Sequence, residues 1–283
     1  MKVLRHRLVE DDGTAFPFER SPNSGGDVEH DLLVVHYTAG SSAESSVDWF
    51  KNPLAKASAH LVIGRDGSIV QMVPFDRVAW HAGISEWQGR SGVNGFSLGI
   101  ELDDAGKLMP HGDRWLAWFG KEYGPEEVLV ATHKNETEPF GWHLYTEAQL
   151  EAAVTVASVL VDRYDLRDVV GHDDVSPIRK VDPGPAFPMA SFRARVLGRE
   201  DDEPEILETS TTLNIRSGPG TLHETLREGP LPPGTRVEVL AMEGLWRLVD
   251  VLDVVGGAMD VQGWVHGRFL RRLASGAPSP GRV

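Results

Sequence analysis

The sequence predicts an α/β domain, a central mixed β-sheet flanked by helices, followed by a small all-β barrel. Three observations lead there. Near-continuous apolar runs at 32–36 and 96–102 read as buried central strands. Between about 146 and 164, apolar residues recur at helical spacing behind a capping signal. Beyond Leu197 an acidic, proline-bearing run, GREDDEPE, gives way to short alternating segments punctuated by Gly and Pro. Length agrees, since 283 residues correspond to about two domains of roughly 150 each.

The first thirty residues are polar and rich in Gly and Pro, with one alternating piece at 3–8. The strand at 32–36 ends on a histidine, and a short helix is expected over 45–51, broken by Asn52 and Pro53. Segments 60–63 and 68–73 flank Asp66-Gly67, a hairpin signal, and 96–102 adds a further strand to the same sheet. From 107 to 143 the chain is less regular, rich in Trp and charge, and reads as an insertion carrying a short helix near 115–119. Thr146 with Gln149 forms a capping box, and Leu150, Ala153, Val154, Ala157, Leu160 and Val161 make the apolar stripe of a helix reaching Tyr164. Val169 and Val170 form a short strand leading into Gly171 and His172. The boundaries read as a first domain over 1–198, an acidic linker at 199–207, a barrel at 208–274 and a frayed tail at 275–283. Barrel strands are expected at 213–216, 235–240, 246–251 and 262–265.

Composition narrows the chemistry. With 28 basic against 42 acidic residues the net charge is −14, which disfavours nucleic acid and anionic membranes as partners. The chain has no cysteine, so disulfides, thiolate metal sites, iron–sulfur clusters and thiol nucleophiles are excluded. A metal would have to be held by Asp, Glu or some of the 11 histidines. The start, MKVLRHRLVEDDGTAF, lacks the apolar stretch of a signal peptide, and nothing later is long enough to span a bilayer. The expectation is a chain that is cytoplasmic as synthesised and not membrane-inserted; action on a cell wall would require lysis or non-classical export.

His36 ends an apolar strand, His172 follows another beside a glycine, and Asp182 sits in KVDPGP. Two imidazoles and a carboxylate suit a catalytic zinc with one position left open. Spacing alone leaves the alternative of ordinary core histidines, because no local motif joins the three. Glu101 at a strand end reads either as an acid–base group or as a salt-bridged carboxylate. Lys180 lies two residues before Asp182, so in extended chain both face one side; alone it is equally a surface lysine.

The strings LLVVHYTAG (32–40), SAHLVIGRDGSIVQMVPFDRVAWHAG (58–83), NGFSLGIEL (94–102) and GHDDVSPIRKVDPGPAF (171–187) occur in this order. Together they resemble the zinc-dependent N-acetylmuramoyl-L-alanine amidases, most closely the AmpD-type branch of the amidase-2 and peptidoglycan-recognition superfamily. The resemblance covers about 32–192, interrupted by the insertion. It implies Zn2+ held by His36, His172 and Asp182, with Glu101 as catalytic base and Lys180 stabilising an oxyanion. It implies hydrolysis of the amide between N-acetylmuramic acid and L-alanine of the peptidoglycan stem peptide. Trp80 and His81 are expected to line the cleft as substrate contacts. His60 stands where other branches carry tyrosine, and either contacts substrate or packs. His111, His133 and His143 read as surface residues of the insertion.

LNIRSGPG (213–220) and GWV (263–265) resemble a bacterial SH3-like domain, over about 208–273. This implies peptidoglycan as partner, with Trp246 a candidate wall-binding residue and Trp264 part of the barrel core. Three readings compete with wall hydrolysis: recycling of anhydro-muropeptides in the cytoplasm, non-catalytic peptidoglycan recognition, and a zinc hydrolase of other N-acyl amino acids or peptides. Retention of all three ligand positions speaks against the non-catalytic one.

Overall fold

In the computed structural model, residues 1–198, 205–258 and 261–272 are described. The chain divides into two compact units, Met1–Asp202 and Glu203–Val283. Most of the expected linker, 199–204, and the expected tail fall outside the described residues.

In the first unit, beside three short two-stranded sheets, the main sheet opens with β1 (Leu32–Tyr37), β2 (Leu61–Ile63), β3 (Ile69–Gln71) and β4 (Ser97–Leu102). An insertion then contributes β5 (Lys107–His111), β6 (Arg114–Leu116), β7 (Glu122–Tyr123), β8 (Val128–Thr132) and β9 (Pro139–His143), before β10 (Asp168–Gly171) returns to the main sheet. The main sheet has the order β10-β1-β4-β2-β3. Its first four strands run parallel and only the β2–β3 hairpin is antiparallel, so the sheet is mixed. Every residue of β4 is buried, which explains why its sequence does not alternate.

Helices cover this sheet. α1 (Ala43–Lys51) starts two residues before the expected position, because the Ser42 side chain caps it by accepting from the Ser45 amide; it buries Val47 and Phe50. α2 (Glu147–Tyr164) opens on the expected capping box: the Gln149 amide donates to Thr146 Oγ1 and the Thr146 amide to Gln149 Oε1, both at 3.2 Å. Its buried stripe is Leu150, Ala153, Val156, Ala157 and Leu160, whereas Val154 and Val161 stay half-buried. α3 (His172–Val175) and α4 (Met189–Leu197) follow β10. Among the described residues no helix is long and apolar enough to cross a membrane.

The insertion departs from expectation. Residues 107–143 form a second five-stranded sheet, order β7-β6-β5-β9-β8, with every pairing antiparallel. The short helix expected near 115–119 is absent, because Arg114–Leu116 pairs with both β5 and β7. A left-handed Gly112 (φ 64°) turns the chain between β5 and β6. The sheet has its own core, in which Leu108, Ala117, Tyr123 and Val128 pack with Trp115.

The second unit is a five-stranded antiparallel sheet of β11 (Glu205–Thr209), β12 (Arg236–Glu243), β13 (Trp246–Val251), β14 (Val261–His266) and β15 (Leu270–Arg272). Its order is β14-β13-β12-β11-β15. Ile215, Leu231, Val237, Val249 and Val265 form its core, and Trp264 is buried, as expected. The strand expected at 213–216 is reduced to single bridges, Leu213 with Leu231 and Arg216 with Thr225 and Trp264.

Candidate active site

Register builds the site. In the parallel pair β1–β4, Glu101 lies level with His36, and in β1–β10, Gly171 lies level with Val35. His172, the next residue, therefore comes abreast of His36. Three chemically active side chains thus meet at the carboxyl edge of one sheet, where open α/β sheets bind ligands. The loop after α3 brings Asp182 to the same point. His36 Nδ1 and His172 Nδ1 are 2.9 Å apart, and Asp182 Oδ2 lies 3.0 and 2.9 Å from them. All three residues are buried.

The protons around this triangle follow from its neighbours. Ser97 Oγ donates to the Val93 carbonyl at 2.7 Å, so toward His81 Nε2, at 3.2 Å, it must accept. A neutral His81 then has a bare Nδ1, which accepts from His36 Nε2–H at 2.9 Å. His172 Nε2–H donates to the Ala82 carbonyl at 3.1 Å. Both imidazoles are left with bare Nδ1 atoms pointing at each other and at a carboxylate oxygen. Burial and the proximity of His172 hold His36 down at about 4, so it is neutral near pH 7. Lone pairs converging this closely with no proton between them fit a divalent cation, and the outward N–H bonds are the kind that orient ligating histidines. Among the described residues this is the one group of three or more His, Asp or Glu side chains whose donor atoms converge within 4.8 Å.

Glu101 is 8% exposed, and its Oε2 is buried without a hydrogen-bond partner. Burial and the Asp182 charge push its carboxyl well above the usual range, while Lys180 pulls the other way. Glu101, Lys180, Trp80, His81, His172 and Asp182 all line one cavity of about 720 Å³. A carboxyl with a free oxygen, an ammonium and a cation site in one cavity can move a proton and hold a developing negative charge.

Other expected residues fall elsewhere. His60 is fully buried and does not line the cavity; its Nδ1 accepts from the Gly99 amide at 3.0 Å and its Nε2–H donates to the Arg77 carbonyl at 2.9 Å, so it packs rather than touching substrate. His81 lines the cavity, but its nitrogens are engaged by His36 and Ser97, so it braces His36. His133 and His143 are buried, not surface residues: His133 meets Asp173 of α3 at 2.8 Å, and His143 meets Asp104, just past β4, at 2.9 Å. His111 is exposed beside Glu122. Trp246, in the second unit, is half-buried with its ring edge-on to His266.

Sequence reasoning missed Ser97, which ends the histidine chain, and Arg179, which grips the Ala82 and Ile84 carbonyls at 2.8 and 3.1 Å. It also missed Trp49, Trp118 and Phe119 in the cavity wall. The crowding of tryptophans in the insertion was the available signal for Trp118.

A mixed sheet whose carboxyl edge brings converging His, His and Asp donors beside a buried glutamate has the layout of a hydrolytic site that could hold a cation. A family model described as N-acetylmuramoyl-L-alanine amidase matches residues 26–185, and the chain belongs to that family. It is 38% identical over 143 residues to the 1,6-anhydro-N-acetylmuramyl-L-alanine amidase AmpD of Escherichia coli strain K12, a match covering 50% of this chain and 59% of that relative. Against the AmpD of Enterobacter cloacae it is 34% identical over 191 residues, covering 61% of this chain and 83% of the relative. A solved structure of a selenomethionine AmpD derivative aligns with a TM-score of 0.47 at 31% identity, over 69% of this chain and 99% of that one.

Proposed function

We propose that the chain is a zinc-dependent peptidoglycan hydrolase cleaving the amide between N-acetylmuramic acid and the L-alanine of the stem peptide. The observation that carries this is the convergence of two bare imidazole nitrogens and a carboxylate oxygen beside a buried glutamate with a free oxygen. Two nitrogen donors and one oxygen suit zinc. When bound by His36, His172 and Asp182, zinc would polarise the scissile carbonyl and acidify water. Glu101 takes the proton of the attacking water, favoured by its low-dielectric surroundings, and returns it to the departing alanine amine. Lys180 places an ammonium beside the oxyanion as it develops. His81, Ser97 and the Ala82 carbonyl hold the two imidazoles in the tautomer that leaves Nδ1 free.

Replacing Glu101 with Gln should lower release of stem peptide from purified sacculi about 10²–10⁴-fold. The zinc content, read by elemental analysis, should not change. Wild-type turnover in a zinc-loaded Glu101→Gln enzyme would remove Glu101 as the base.

The relatives named for 1,6-anhydro-N-acetylmuramyl-L-alanine support soluble anhydro-muropeptides as a substrate. The second unit supports intact wall instead, if it is the SH3-like module its LNIRSGPG and GWV strings suggest, with Trp246 at its binding face. Turnover of sacculi compared with turnover of soluble anhydro-muropeptide decides between them.

A further inference from the structure

The insertion brings a different chemistry to the cavity. Trp118 follows β6 with its side chain 78% exposed. It is nevertheless anchored: Nε1–H donates to the Ala39 carbonyl at 2.7 Å, and Phe119 meets the ring edge-on with centroids 5.8 Å apart. Ala39 lies three residues past His36, at φ 49°, so the insertion is fastened to the turn that leaves the metal-ligand strand. Trp118 lines the same cavity as Glu101 and Asp182, together with Trp49 of α1, which is 55% exposed.

Charge is unevenly spread over that cavity. Its carboxylates and cations are Glu101, Arg179, Lys180 and Asp182. Between Tyr37 and Phe50, and at 118–119, every lining residue is uncharged, and the exposed Ser41 adds a hydroxyl to that lining, whereas Ser45 Oγ is taken up by the cap of α1. Flat indole faces beside a small hydroxyl match a pyranose ring. Its axial C–H groups pack on the electron-rich ring face, and its rim hydroxyls find hydrogen bonds. A peptide carboxylate would meet no cation on this flank. Exposed indoles held in place cost apolar contact with water, which a stacked ligand removes.

We propose that Trp118 and Trp49 form a subsite for a sugar ring adjoining the muramic residue, so that the glycan side of the substrate is recognised beyond the scissile bond. This rests on the amidase reading above. Steady-state kinetics should compare N-acetylglucosaminyl-N-acetylmuramoyl-tripeptide with the same compound lacking N-acetylglucosamine. In Trp118→Ala the KM for the disaccharide substrate should rise about tenfold with kcat within about twofold. The monosaccharide substrate should be unaffected, and Trp118→Phe should recover most of the loss. Equal effects on both substrates, or none on either, overturn the subsite. Tryptophan fluorescence titration with the free disaccharide reads binding without turnover: saturable quenching in wild type, lost in Trp118→Ala, is expected even if the amidase reading fails. Absence of that binding, or its displacement by free stem tripeptide, overturns the proposal.

Discussion

His60 shows what a fully buried imidazole does to a protein's acid stability. Its Nδ1 faces the Gly99 N–H and its Nε2–H faces the Arg77 carbonyl, so only the neutral ring satisfies both. Burial holds it down at about 4, against an ordinary value of 6.5, with the Arg77 hydrogen bond opposing. The unfolded chain therefore binds the extra proton first. Stability from this group is complete above pH 6.5 and is lost as pH falls toward 4, by on the order of 3 kcal/mol. In urea unfolding with chelator present, His60→Asn should be less stable than wild type at pH 7.5. Between pH 7.5 and 4.5 it should lose less than wild type does; an equal loss would show that His60 does not titrate in this window. The histidines also mark how far single residues could be read. His36, His172 and Asp182 were legible because each stands in a distinctive local string. The burial of His133 and His143 was not, because their partners, Asp173 and Asp104, lie about 40 residues away in sequence and only the fold supplies them.

At the level of elements, β4 does more than fill the sheet. It carries Glu101, and Gly99 in the same strand leaves room for His81: a Cβ there would stand 2.5 Å from His81 Cγ. Gly99→Ala should therefore displace His81 and loosen the tautomer lock on His36. Metal affinity, measured by competition with a chromogenic chelator, should fall about 10–100-fold while the far-ultraviolet circular dichroism is retained. Unchanged affinity would mean that His81 does not support the ligand. The main sheet and α2 were legible because continuous apolar runs and a capping box are local signals. The insertion was not. Its strands are only two to five residues long, and in β6 the Trp-Leu pair reads as readily as the start of a helix. What decides is pairing with β5 and β7, together with Gly141, which has no side chain where the Trp115 ring lies.

For the whole molecule, the question is which parts stand alone. Leu33, Val34, Val35, Leu98, Val169 and Val170 are fully buried, so the sheet that carries the ligands has an apolar core of its own. Chelation should lower the Tm by removing ligand linkage, yet leave a cooperative transition; a broad, non-cooperative melt without metal would contradict this. The two compact units, each with its own core, lead to a second expectation. A fragment of residues 1–198 should fold and cleave soluble muropeptide with the kcat/KM of the full chain. If the second unit anchors the enzyme to wall, only the full chain should sediment with sacculi. The net charge of −14 sets the sign of the salt effect on that binding. An acidic protein approaching anionic wall polymers is repelled, and salt screens the repulsion. The bound fraction should therefore hold or rise between 50 and 300 mM NaCl, because hydrogen bonds and ring contacts, rather than net attraction, do the holding. A steep fall across that range would point to a basic patch as the anchor and refute the neutral, shape-based mode of wall binding.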